Sequence, residues 1–175
     1  MATITSASSG NFSNSATWVG GVVPGPLDNA IANTGHNVTI DVNTTVIGIQ
    51  AISTGRFIMG EGVTLTGNVI APASANTTLL IPVTTNCTIV GNMTTLTSAG
   101  SLIAEKTTAG AGGTLNIIGN VYGGSSTNMR GLLVNSTGTI NITGDVVATT
   151  LAGVGNANAI IINAVCTLNI TGNVL

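Results

Sequence analysis

"GTLNIIGNV" occupies Gly113 to Val121, "GTINITGDV" Gly138 to Val146 and "CTLNITGNV" Cys166 to Val174. One nine-residue phrase therefore returns after 25 and then 28 residues. A globular enzyme domain has little use for such repetition. A stack of equivalent coils needs it, because one coil buries its apolar face only against its neighbours.

The phrase extends outward in weaker form. A Thr followed by Leu or Ile occurs at Thr39-Ile40, Thr64-Leu65, Thr88-Ile89, Thr114-Leu115, Thr139-Ile140 and Thr167-Leu168, in steps of 25, 24, 26, 25 and 28 residues. Five of these pairs are followed by Gly-[Asn/Asp]-[Val/Met], placing Asn68, Asn92, Asn120, Asp145 and Asn173 at equivalent points. A short aliphatic run sits elsewhere in the unit: "FIM" at 57–59, "LLI" at 79–81, "LI" at 102–103, "LLV" at 132–134 and "III" at 160–162.

Val, Ile and Thr favour strands, and helix formers are scarce, with two Glu and one Lys in the chain. A propeller blade needs a unit of roughly 40–45 residues with aromatic signatures. A unit of about 25 fits one turn of a three-sided parallel β-helix. The fold class expected is all-β, a solenoid of about six such coils.

Stacking then assigns columns. Ile40, Leu65, Ile89, Leu115, Ile140 and Leu168 are expected to form one internal aliphatic ladder. Phe57, Leu80, Ile103, Leu133 and Ile161 mark a second, on another wall. Each buried aliphatic contributes about 1.5–3 kcal/mol before entropy is subtracted. Gly and Asn tolerate the positive φ of a bend between walls. Asn68, Asn92, Asn120, Asp145 and Asn173 are expected to stack as a turn ladder, amide on amide. A single Asp is tolerable there because a carboxylate accepts from both neighbours.

Composition agrees. The chain of 175 residues is 43% hydrophobic, 5% charged and 2% aromatic, with a net charge of -2. A typical soluble domain carries roughly 25% charged residues. Stacked identical charges repel, whereas stacked Thr and Asn do not. Three basic residues, Arg56, Lys106 and Arg130, make no stripe for phosphates, so no nucleic-acid partner is expected. The longest compact apolar run, "AIIINAV" at 159–165, is far short of the roughly 20 residues of a spanning helix, and no membrane insertion is expected. The opening "MATITSASSGNFSNS" lacks the charged and apolar regions of a signal peptide. Cys87 and Cys166 fall in different repeats about 14 Å apart at ~4.8 Å per coil, beyond disulfide reach. They are expected as free, buried thiols.

Residues 1–34 differ from the repeats of 35–175. They hold Phe12, the only Trp (Trp18), Pro24, Pro26 and Asp28. An open solenoid edge invites aggregation unless covered, so this segment reads as an N-terminal cap, with Phe12 and Trp18 plugging the core. The other end stops within the motif on "TLNITGNVL", for which a truncation or a junction with another subunit is the expectation.

The stretch "GNFSNSATWVGGVVPGPLDNAIANTGHNVTID", residues 10–41, resembles the opening segment of many bacterial and phage surface β-helix proteins, including those related to the G8 domain. Asn11, Ser13, Ala16, Thr17, Trp18, Gly20, Gly21, Pro24, Asp28, Gly35, Val38, Thr39 and Asp41 agree with that pattern in order. Phe12 stands where Trp is usual, and Leu27 where the pattern has Gly. The match covers under a fifth of the chain. The resemblance implies a right-handed parallel β-helix on an extracellular or virion surface.

Sites for chemistry are sparse. A glycosidase needs two carboxylates roughly 5–9.5 Å apart, and Asp28, Asp41, Glu61, Glu105 and Asp145 scatter over different repeats. His36, the only histidine, reads as a loop residue rather than a triad member with Asp28 or Asp41. One His and two distant Cys cannot fill a zinc site, and neither the calcium-binding repeat nor the phosphate loop is present. "AGAGG" at 109–113 reads as a turn. Trp18 reads as buried rather than as a sugar platform. No catalytic residue, metal or cofactor is expected.

The sequence reading is a non-enzymatic structural component of a bacteriophage virion, a fibre, spike or capsid-decoration protein. Its alternatives are a bacterial cell-surface adhesin or surface-layer module, and a polysaccharide-degrading β-helix. The partners expected are further copies of the chain, with a trimer as one form, and other virion or surface proteins, with a host surface glycan as a further candidate.

Overall fold

The computed structural model describes residues 1–71, 77–82, 84–95, 102–106, 112–123, 130–148 and 158–175, with only the backbone of 77, 95, 102–106 and 130. Strands from successive repeats pair in parallel, and the described residues form a parallel β-solenoid, as the repeat predicts. Helical structure among them is limited to two short 3₁₀ turns, Ser15–Thr17 and Val19–Gly21.

The strands stack on three walls. Cys87–Val90, Thr114–Ile118, Thr139–Thr143 and Thr167–Thr171 stack on the first wall. Met93–Thr95, Val121–Gly123 and Val146–Ala148 stack on the second. Asn37–Ile40, Arg56–Met59, Thr77–Ile81, Leu102–Lys106, Arg130–Val134 and Asn158–Ile162 stack on the third. Two eight-residue strands, Thr44–Ala51 and Thr64–Ala71, bend across the corner between the first and second walls. Among the described residues those two walls therefore form one sheet of eleven strands, and the third is a sheet of seven.

In later coils Gly-Asn breaks that corner. Gly119 has φ 148°, and a Cβ on it would collide with the carbonyl oxygen of Gly91 one coil back. Only glycine meets both demands, which explains the Gly of the repeated phrase.

Alternation sends every second side chain inward. Leu65, Ile89, Ile117, Ile142 and Ile170 form one column on the first wall. Cys87, Leu115, Ile140 and Leu168 form the next. Ala30, Ile49, Val69, Met93, Val121 and Val146 line the second wall. All of these are buried except Leu168 and Ile170, which are half-buried in the last coil.

This register corrects the first ladder expected from sequence. Ile40 lies on the third wall opposite Met59, not beneath Leu65. The partner of Leu65 one coil back is Thr44. Leu115 faces Cys87, and Ile89 faces Ile117. Thr114–Ile118, Thr139–Thr143 and Thr167–Thr171 each carry two inward aliphatics two residues apart. A shift by two keeps the same face inward, so a period-two pattern cannot detect it.

The second ladder is off by one. Phe57, Leu79, Ala104, Leu132 and Ile160 share a register position. Leu80, Leu133 and Ile161 lie one residue further on, with Ile58 and Glu105. "LLI", "LLV" and "III" are apolar on both faces, so they carry no parity signal. The side chain of Ile103 lies outside the described residues.

The N-terminal segment joins the walls. Thr3–Thr5 pairs with Asn29–Ala32, which pairs with the second-wall half of Thr44–Ala51. Gly10–Asn11 pairs with Asn37–Ile40. Phe12 and Trp18 are each 2% exposed. Their rings meet edge to face at 4.9 Å, and Trp18 Nε1 donates to the Phe12 carbonyl at 2.8 Å. That bond satisfies the one polar group of a buried indole.

Candidate functional site

Among the described residues, a set of polar side chains sits at the corners between walls and hydrogen-bonds the next coil. At the corner of the first and second walls, the N–H of Asn92 donates to Asn68 Oδ1 at 3.0 Å. Asn120 N–H donates to Asn92 Oδ1 at 2.9 Å, and Asp145 N–H to Asn120 Oδ1 at 2.8 Å. Asn173 donates both its N–H (2.8 Å) and its Nδ2 (3.0 Å) to Asp145 Oδ1. The residues of the turn ladder thus follow one another coil by coil, with a chemistry different from the amide-on-amide stacking expected. The side-chain oxygen accepts from the backbone, so a carboxylate at 145 serves as well as an amide.

Amide-on-amide stacking occurs elsewhere. Asn141 Nδ2 donates to Asn116 Oδ1 and Asn169 Nδ2 to Asn141 Oδ1, each at 2.8 Å. Asn163 Nδ2 donates to Asn135 Oδ1 at 2.9 Å. Sequence reasoning passed over Asn116, Asn141 and Asn169, although the third letter of "TLN", "TIN" and "TLN" in the repeat marks them.

The acids behave alike. Asp28 accepts from the N–H of Ala2 at 2.9 Å and of Gly25 at 3.1 Å. The Gly25 and then the Ala2 N–H hold its carboxyl below the usual range. Burial pushes the Asp41 carboxyl up, but the Ser13 hydroxyl at 2.6 Å and the Ser13 N–H at 3.0 Å outweigh it, so its pKa too is lowered. Glu61 receives Nδ2 of Asn86 at 2.8 Å and its N–H at 3.0 Å, and is lowered for those reasons. Asn86 Oδ1 in turn accepts from Thr114 N–H at 3.0 Å. A general acid in glycoside cleavage needs a raised pKa, and these three carboxyls are shifted the other way.

His36 Nδ1 lies 2.9 Å from Ser6 Oγ, which accepts from Asn33 N–H at 2.9 Å. Ser6 is fully buried, and the hydrogen bonds of Asp28 and Asp41 go to other groups. No triad is assembled from these residues. The buried Trp18 indole offers no ring face to a sugar. Neither cysteine forms a disulfide; Cys87 is buried as expected, whereas Cys166 is only half-buried. Among the described residues no group of three His, Cys, Asp or Glu is placed to hold a metal, and no helix is long and apolar enough to cross a membrane.

Three concavities stand out among the described residues. A mouth of about 320 Å³ opens at the last coil, lined by Ile160, Ile162, Leu168, Ile170 and Leu175 among others. A groove of about 500 Å³ beside the first coil is lined by Phe12, Ser13, Pro24, Pro26, Val42 and Thr45 among others. A shallow groove of about 200 Å³ runs along the second wall between Asn68, Ile70, Asn92 and Thr94. None contains a pair of carboxylates.

Comparison of the chain with protein-family models, with curated proteins and with solved structures finds no match.

Proposed function

We propose that this chain is a non-enzymatic structural component of a bacteriophage virion, a rigid β-solenoid that projects from or decorates the particle. One observation carries the reading. The described carboxylates and most of the corner amides hold one coil to the next, so the chemistry a reaction would need is committed to the scaffold. The resemblance of residues 10–41 to surface β-helix proteins supports the virion placement, and the low charge suits a long repetitive surface.

The test is location. Particles purified from an infected host are probed with gold-labelled antibody to the chain and imaged. Label on fibres, spikes or the shell of intact particles is the expected result. Label confined to the bacterial envelope would replace this reading with the adhesin one. Release of reducing ends from a host glycan by the purified chain would overturn the non-enzymatic assignment.

A further inference from the structure

On the second wall the groove between Asn68, Ile70, Asn92 and Thr94 lies between two register columns. One runs Asn68, Asn92, Asn120 along the corner. The other runs Gln50, Ile70, Thr94, Tyr122 along the outward face of the wall. Asn68 and Asn92 are exposed; Ile70, Thr94 and Tyr122 are half-buried.

The ladder fixes how the amides point. Asn68 and Asn92 each give Oδ1 to the backbone N–H one coil on. That pins the side chain and leaves Nδ2 as a donor at the groove, repeated at about 4.8 Å per coil. Asn120 Nδ2 donates to the Tyr122 hydroxyl at 2.8 Å, which braces the aromatic ring one coil beyond Thr94. Preorganised donors, a Thr hydroxyl, an aliphatic side chain and a braced aromatic therefore follow one another along the solenoid axis.

We infer that this strip binds an extended, uncharged glycan lying along the axis. Sugar hydroxyls accept from the pinned amides and exchange hydrogen bonds with Thr94. The C–H faces of the rings pack on Ile70 and Tyr122, since tyrosine couples an apolar face to a polar tip. The ligand's neutrality follows from charge. Neither column carries a Lys or Arg, and Asp145 continues the amide column just past Asn120, so an anionic chain would meet repulsion with no compensating cation. A nucleic-acid strand is disfavoured for the same reason. The inference deepens the proposed function by giving the solenoid a glycan-binding site, and it rests on reading the surface as non-enzymatic.

The purified 175-residue chain is screened on an array of neutral glucans, mannans and galactans beside sialylated and uronate-containing glycans. Binding confined to neutral glycans is expected. Tyr122→Ala and Asn92→Asp should each weaken it about tenfold, or ~1.4 kcal/mol. Asn92→Asp separates binding from folding, because it keeps the Oδ1 acceptor that Asn120 N–H needs while it replaces the Nδ2 donor with a charged acceptor oxygen. Asp145 already occupies an equivalent rung, so the variant should melt like the parent. No retained glycan, a preference for anionic glycans, or binding unchanged in both variants would overturn the site. None of these outcomes bears on where the chain sits in the particle.

Discussion

Asn120 donates its backbone N–H to Asn92 Oδ1 at 2.9 Å, across 28 residues of sequence and one coil of structure. The bond ties the corner of one coil to the corner of the next. Asn92→Ala removes the acceptor, and a net hydrogen bond is worth about 0.5–1.5 kcal/mol. Because position 92 is exposed, water replaces part of the loss, so the expected cost is at the lower end of that range. Asn92→Asp should be close to neutral. Urea unfolding of the two variants beside the parent checks the difference. Equal destabilisation by Ala and Asp would show that Oδ1 contributes nothing.

Two glycines with positive φ should respond unequally to alanine. Gly20, at φ 77°, has open space where a Cβ would stand, so Gly20→Ala carries only the strain of its backbone, about 1–2 kcal/mol. Gly119→Ala adds the collision with the Gly91 carbonyl and should be the costlier by several kcal/mol. It should also expose the Gly-Asn corner to proteolysis. Comparable melting temperatures for the two variants would contradict the close stacking of that corner.

Acid should loosen the corners. Asp28, Asp41 and Glu61 have folded pKa values lowered from 3.8, 3.8 and 4.5. A carboxyl with a depressed folded pKa contributes stability that is present above its unfolded value and lost as pH falls through the folded one. The melting temperature should therefore be insensitive to these groups at neutral pH and fall on acidification below about pH 4. Asp41→Asn should flatten that acid limb, since Oδ1 still accepts from the Ser13 N–H, Nδ2 donates to the Ser13 hydroxyl in place of accepting from it, and no charge is left to protonate. A parent whose melting temperature rises below pH 4 would reverse the assigned sign.

How much of this was legible beforehand varied with the wall. On the first wall, "TLNIT" alternates cleanly, and the spacing of Leu115, Ile140 and Leu168 was enough to stack them. Leu65 and Ile89 stack as expected, but the ladder slips between Ile89 and Leu115 because a two-residue shift leaves the pattern unchanged, and it fails at Ile40 because that residue ends a third-wall strand. On the third wall, Leu79 and Leu80 are both apolar, so no alternation told the inner from the outer. The Gly-Asn corner was plain, because Gly91 and Gly119 stand at a bend few residues tolerate. The direction of its hydrogen bonds was not, since Asn offers both a donor and an acceptor and only the geometry chooses between them. Glu61 and Asn86 lie in the same turn one coil apart, three residues before Thr64 and two before Thr88, but the residue type changes between coils, so no repeated letter announced the bond.

The core should weaken toward the last coil. Leu115 is fully buried, flanked in register by Cys87 and Ile140. Truncating a buried Leu to Ala typically costs about 2–5 kcal/mol, the spread reflecting how far the cavity relaxes. Leu168 holds the same column but is only half-buried at the mouth of the coil, and a side chain already in contact with water has less transfer free energy to lose. Leu115→Ala should therefore lower stability well beyond Leu168→Ala. Hydrogen exchange on the parent should show the matching gradient, with amides of Thr167–Thr171 exchanging faster than those of Thr114–Ile118. Equal penalties and uniform protection would mean that the last coil is covered in solution, and that the 175-residue chain associates through that end.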